Sequence, residues 1–263
     1  MIDSYLWSNI FFAFLVGGTW VALSTIAADR LGSKIGGFLI GLPSTAIVAF
    51  LFIGIVQGPQ VASQATSDFP LIYGFTGLFL IFFALISKKG FWIGLCGSLA
   101  VWFALTLSVA VLGLENFELS LIIYLMILLF VYFIPEEHLR IRPQKTRSTP
   151  ISLKHLAFRA VFSGAIIAFA VFLSKAGGPL FGGAFAAFPA GFISALIIGN
   201  MARGLEFSRT LAKPMAVSGL VTVVLYAIAL RYAYPAYGLA LGTLASMGVS
   251  LIGAAFLYYL IKR

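Results

Sequence analysis

The chain alternates long apolar runs with short polar breaks, and the runs have the length a membrane demands. A helix needs about 20 apolar residues to cross the hydrocarbon core. Nine segments come near that length: 5–28, 35–56, 70–87, 91–112, 119–134, 156–174, 181–202, 214–230 and 237–261. The fifth is short. The pattern therefore predicts an all-α fold: a polytopic transmembrane helical bundle of about nine spans.

Two of the runs are built alike. "GGFLIGLPSTAIVAF" opens at Gly36 and "GGAFAAFPAGFISAL" at Gly182, and each places a proline six residues after its second glycine. Sliding the second half back by 146 positions aligns Phe158 with Phe12, Gly164 with Gly18, Ala168 with Ala22 and Pro189 with Pro43. In all, 10 identities fall in 47 ungapped positions, against roughly four or five by chance in a chain this rich in small and apolar residues. The spans thus divide into a first four-span copy (1–113), a linker span (114–135), a basic loop (136–155) and a second four-span copy (156–263). An odd span between the copies makes them enter the membrane from opposite sides. The expected architecture is two inverted four-helix repeats joined by a linker span, which is common in secondary transporters.

The prolines give the repeat a candidate chemistry. A proline inside a helix removes one hydrogen bond and clashes with the carbonyl four residues back, which is Leu39 for Pro43 and Phe185 for Pro189. Such groups are costly in lipid unless something meets them. Each proline lies about 12 Å into its span at 1.5 Å per residue, so two breaks entering from opposite faces are expected to meet near the midplane. A new half-helix begins after each proline, with unpaired N–H groups suited to an anionic or polar ligand. The freed carbonyls suit a small cation instead. The candidate substrate-binding residues are Gly41, Pro43, Ser44 and Thr45 in the first copy, and Phe188, Pro189, Ala190 and Gly191 in the second. Trp20 and Ser24, one turn apart on span one, share a face that reaches cavity depth. The bland alternative is that the glycines and prolines are kinks and packing sites.

Composition strengthens the membrane reading. The residues are 61% hydrophobic and 10% charged, and mean hydropathy is +1.07. A soluble domain carries about 25% charged residues. The first apolar run has no basic segment before it and is expected to remain as a span rather than a cleaved leader. Of the 17 Lys and Arg residues, nine alternating spans put all but Lys175 and Arg231 on one side. The excess of basic residues marks the cytoplasmic side. This places the protein in the inner membrane with its N-terminus outside and its C-terminus in the cytoplasm. The net charge of +9 is thereby assigned to topology and to anionic headgroups, not to nucleic acid.

Several chemistries are disfavoured. No Asp, Glu, Lys, Arg or His stands well inside a span, whereas proton-driven pumps usually carry one. There is no HExxH, GxSxG, Walker loop or Cys/His cluster, so neither an enzyme nor a metal or other cofactor is expected. Cys96, the single cysteine, reads as a small core residue. Gly94, Gly97, Gly238 and Gly242 mark close helix contacts within or between chains, which leaves room for a homodimer.

The stretches "GGFLIGLPSTAIVAFLFIG" and "GGAFAAFPAGFISALIIG" resemble the small four-helix bacterial membrane proteins of the GlpM type, once in each half. That resemblance brings no activity with it. The inverting linker span is similar to that of fused dual-topology channels such as the fluoride channels, whose Asn-bearing glycine motif this chain lacks. The expected function is a secondary-transporter-like protein that moves a small anionic or neutral polar solute or ion by alternating access. The alternatives are a passive channel of the same architecture and an accessory membrane protein with no transported substrate.

Overall fold

A computed structural model describes residues 4–30, 42–134 and 152–261. Gly36, Gly37, Gly41 and most of the basic loop lie outside these residues. Among the described residues the secondary structure is helical throughout, with no strand. The helices are α1 (Ser4–Arg30), α2 (Ser44–Gln57), α3 (Pro59–Gln64), α4 (Phe69–Ile86), α5 (Phe91–Leu112), α6 (Phe117–Phe133), α7 (Leu153–Gly177), α8 (Pro179–Ala186), α9 (Ala190–Arg203) and α10 (Leu205–Ile261). Six helical segments are long and apolar enough to cross a membrane, and α2 and α6 are shorter apolar helices. The protein is a membrane-type helical bundle.

Helix ends follow local chemistry. Asn116 caps α6 by accepting from the Leu119 amide at 2.8 Å, and Ser152 caps α7 by accepting from His155. Such caps satisfy amides that a helix leaves without partners. α5 stops at Gly113, whose φ of 60° and ψ of 40° are left-handed. The amides of Gly113 and Leu114 then reach back to Ala110 and Val109, closing the end of the helix. α10 is really two arms, because Gly238 has a φ of 73° and a ψ of −177°. Pro235 was expected in the loop between the last two spans. It lies in the helix instead, and the break comes at Gly238, where only a residue without Cβ turns at no steric cost.

The two proline breaks share their backbone geometry. Pro43 has φ −73° and ψ 45°, and Pro189 has φ −74° and ψ 38°. Both sit at the centre of a tight turn, closed by Ser44 N–H to Leu42 at 2.7 Å and by Ala190 N–H to Phe188 at 2.8 Å. A 14-residue helix follows each proline and ends at a glycine of positive φ, Gly58 (96°) or Gly204 (82°).

Packing pairs the equivalent helices. α1 and α7 touch along their length at small residues. A Cβ on Gly18 would come 2.8 Å from the Ala160 carbonyl oxygen, and one on Gly164 would come 2.6 Å from the Phe14 carbonyl oxygen. Positions 14 and 160 stand 146 apart, as 18 and 164 do, so the contact is reciprocal. Near the other end Trp7 stacks on Phe172 at 6.2 Å. The pairs 7–172, 14–164 and 18–160 run in opposite directions, so α1 and α7 are antiparallel. α4 is the central helix, buried on most sides, and the first arm of α10 packs beside it. Arg209 donates to Ala84 at one end of that pair, and farther along a Cβ on Gly77 would meet the Leu220 side chain. These two helices are also antiparallel. α6 completes the core: Tyr124 donates to the Leu220 carbonyl, and Ser120 accepts from the Leu71 amide.

The outer faces of α1, α5, α6 and the second arm of α10 display large apolar side chains, among them Phe11, Trp92, Leu107, Phe130 and Ile252. Cys96 is on such a face and is exposed, not in the core as expected. In a membrane protein the lipid-facing surface is as apolar as the interior, so composition does not separate the two.

Candidate functional site

A cavity of about 630 Å³ lies between the second half of α5 and the α7–α8 junction. α5 packs mainly on α4, which leaves this gap on its other side. Trp102, Phe103, Phe181 and Phe185 give it aromatic walls, and Gln64, Ser67, Asp68, Thr106 and Glu115 give it polar ones. Gly177 and Gly178 also line it, where Gly178 (φ 99°) turns the chain from α7 into α8.

Asp68 is the unusual member. It occupies the N-cap of α4 yet makes no capping hydrogen bond. It is only 5% exposed, and its Oδ1 has no hydrogen-bond partner. Burial, and then the negative charge of Glu115, raise its carboxyl from 3.8 to about 7. The neighbouring cation, Arg231, is held away from it. Its guanidinium lies over the Phe117 ring at 4.4 Å and donates to Ser63, Thr66 and Ser67. The Thr106 hydroxyl oxygen in the cavity wall also lacks a partner.

At its deep end the cavity meets the second proline break. Trp102 is fully buried and donates its indole N–H to Thr76 Oγ1 at 3.0 Å. Thr76 in turn donates to the Ala187 carbonyl at 2.8 Å. Phe188 packs edge-on against Trp102, with ring centroids 5.3 Å apart, and contacts Phe103, Phe162 and Phe185. Pro189 and Ala190 are buried, and Gly191 is half-buried with open space where a Cβ would stand. The carbonyl that Pro189 was expected to free, that of Phe185, accepts from the Phe188 amide at 3.1 Å. The local turn satisfies it, so it is not an open ligand.

The first break is placed differently. Trp20, Ser24, Pro43 and Ser44 come together with Ile47, Met247, Ser250 and Leu251 around a space of about 50 Å³. That is room for a water or two at about 30 Å³ each. Ser24 donates to the Trp20 carbonyl at 2.8 Å. Pro43 is buried, Ser44 and Thr45 are half-buried, and Trp20 is exposed along one side. Gly41 lies outside the described residues. The Pro43 group and the Phe188 group are thus each assembled locally, in separate surroundings.

Asp68, Thr106 and Glu115 were not foreseen as site residues. The stretch "TSDFP" falls at a break between two apolar runs, and the unpaired burial of its aspartate arises from α5 and α8 standing around it. Among the described residues no group of three His, Cys, Asp or Glu is placed to hold a metal.

Residues 10–115 match the model of a family described as a protein of unknown function (DUF3147). The matched region coincides closely with the first four-span copy and brings no activity to the site. It lends no support to the GlpM-type resemblance. No curated protein and no solved structure matches the chain.

Proposed function

We propose that this is a secondary-transporter-like membrane protein that moves a small solute or ion by alternating access between two inverted repeats. One observation carries the reading: the sequence-equivalent helices α1 and α7 cross antiparallel through a reciprocal contact, Gly18 to Ala160 and Gly164 to Phe14. Reciprocal contact is the mark of a two-fold axis. For helices that cross a membrane, antiparallel equivalents put that axis in the membrane plane, whereas parallel repeats would run the same way. The antiparallel pair of α4 and the first arm of α10 supports the same axis. So do the matched breaks at Pro43 and Pro189. Exchange of conformation between two such copies turns an outward-open state into an inward-open one.

The charge bias assigns the N-terminus and the Asp68–Glu115 end of the cavity to the outside, and the C-terminus and the basic segment 136–155 to the cytoplasmic headgroups. The cavity then opens outward and reaches inward to Trp102 and the Pro189 break. The earlier preference for an anionic or neutral solute rested on the lack of a buried acid, and Asp68 removes that ground.

Solute counterflow tests the proposal. Purified protein is reconstituted into liposomes preloaded with an unlabelled solute, and uptake of the labelled solute is followed over a panel of small anions, neutral polar solutes and amines. Alternating access predicts that internal solute accelerates uptake for at least one class. Uptake indifferent to internal solute, with unitary currents in a planar bilayer, would establish a channel. No uptake across the panel would favour the accessory role.

A further inference from the structure

We infer that the Asp68 cavity is a binding site for an organic ammonium ion carrying an apolar body, with the Asp68 carboxylate as its counter-ion. Asp68 is buried, its Oδ1 is without a partner, and it stands in the wall of a space large enough for a small molecule. A buried charge left unpaired is costly, and proteins keep one where a ligand completes it. The rest of the lining says which ligand. Trp102, Phe103, Phe181 and Phe185 offer aromatic surface to a cation and to an apolar body, and Glu115 at the rim adds a second negative charge. Among the described residues no basic side chain contributes to the wall. An anion would meet two carboxylates with no positive partner.

The charged groups around Asp68 are Glu115, in the α5–α6 connection, and Arg231 of α10. The guanidinium of Arg231 is engaged by Ser63, Thr66, Ser67 and the Phe117 ring. α7 and α8 contribute uncharged residues to this wall. Phe103, Leu107 and Phe181 line the cavity and are also exposed on the outer surface. The gap between α5 and α8 therefore has a lateral opening toward lipid. The same ammonium chemistry is offered by a soluble amine and by a phosphatidylethanolamine headgroup. When the site is protonated beforehand, binding of a fixed cation releases one proton from the Asp68 carboxyl to bulk water. The inference rests on the transport reading only for the direction of travel, since the binding site stands without it.

The test uses the full chain in nanodiscs of phosphatidylglycerol, with benzyltrimethylammonium as the probe cation and benzoate as an anion of similar size. Calorimetry or tryptophan emission reads binding. The wild type should bind the cation and not benzoate, and its affinity should weaken about tenfold from about pH 8 to about pH 6 as the carboxyl protonates. Asp68→Asn should lose at least about tenfold in affinity together with its pH dependence, while Glu115→Gln should weaken binding and move that dependence to lower pH, because one of the two causes that raise the Asp68 carboxyl is removed. Size exclusion and melting temperature verify that each variant is folded. Should Asp68→Asn misfold, the wild-type pH profile and the preference over benzoate still decide. Unchanged cation binding in folded Asp68→Asn, a wild type without binding, or benzoate bound as well as the cation overturns the inference. Added phosphatidylethanolamine that competes with the probe identifies the headgroup as the source of the ammonium, and absence of competition identifies a soluble amine. Cation binding without counterflow would sink the transport reading and leave the site standing.

Discussion

Adding a methyl group at Gly18 and at Gly164 probes the contact on which the proposed inverted arrangement rests. A Cβ at either position meets a backbone carbonyl oxygen of the partner helix, at 2.8 Å and 2.6 Å. Ordinary carbon–oxygen contact needs more than 3 Å, and a backbone atom cannot rotate away as a side chain can. α1 and α7 must therefore move apart by some tenths of an ångström along the whole crossing. Overpacking of this kind costs about 1–3 kcal/mol. Alanine returns up to about 1 kcal/mol through better helix propensity. The net expectation for Gly18→Ala or Gly164→Ala is a loss of about 1–2 kcal/mol, read by SDS titration in mixed micelles. The double variant is the sharper measurement. Once the helices have separated for one methyl, the second needs little further movement, so the double variant should lose about 1 kcal/mol less than the sum of the singles. Gly97→Ala is the control, because its nearest foreign atom is 3.6 Å away, and it should be neutral or slightly stabilising. Costs at Gly18 and Gly164 no greater than at Gly97, or costs that simply add, would refute the reciprocal crossing.

Asp68→Asn should change the pH dependence of stability. A carboxyl whose folded pKa is raised contributes its full share of stability below the unfolded value and loses it as pH rises through the folded value. From 3.8 to about 7, the advantage of the asparagine over the wild type should therefore grow toward about 4 kcal/mol at most. A melting-temperature difference that is the same at pH near 4 and near 8 would contradict the buried, unpaired state of this group. Thr76→Val leaves both the Ala187 carbonyl and the Trp102 indole N–H without their partner. It should cost about 1–3 kcal/mol and shift tryptophan emission, and an unchanged melt would mean that the α8–α9 break does not depend on this link. With Cys96→Ser as background, cysteines at Ser4 and Ser67 should label from outside, and one at Ser148 only after permeabilisation. Labelling of Ser4 and Ser148 from the same side would remove the inverted topology. Gly191→Ala points into open space and should leave stability unchanged while altering solute affinity if the Pro189 break touches solute, which the binding assay reads.

The membrane class and the all-helical fold class were legible in the chain itself, because run length and hydropathy depend on the solvent and hardly on tertiary contacts. The two proline breaks were legible too, because proline imposes backbone geometry locally, and Pro43 and Pro189 adopt nearly the same angles. Residues that act across the fold were not. Cys96 lies on an outer face, since in lipid an apolar residue is equally at home inside and outside. The Phe185 carbonyl found a partner within its own turn, which helix rules do not anticipate. Asp68 stands in a short polar break between two apolar runs and carried no signal of its own. Its meaning depends on α5 and α8 leaving a space beside it, on Arg231 being engaged elsewhere and on Glu115 arriving from another connection. Local periodicity determines which segments are helices. Only the packing of those helices decides which polar group is left buried without a partner, because burial and pairing belong to neighbours that are distant in sequence.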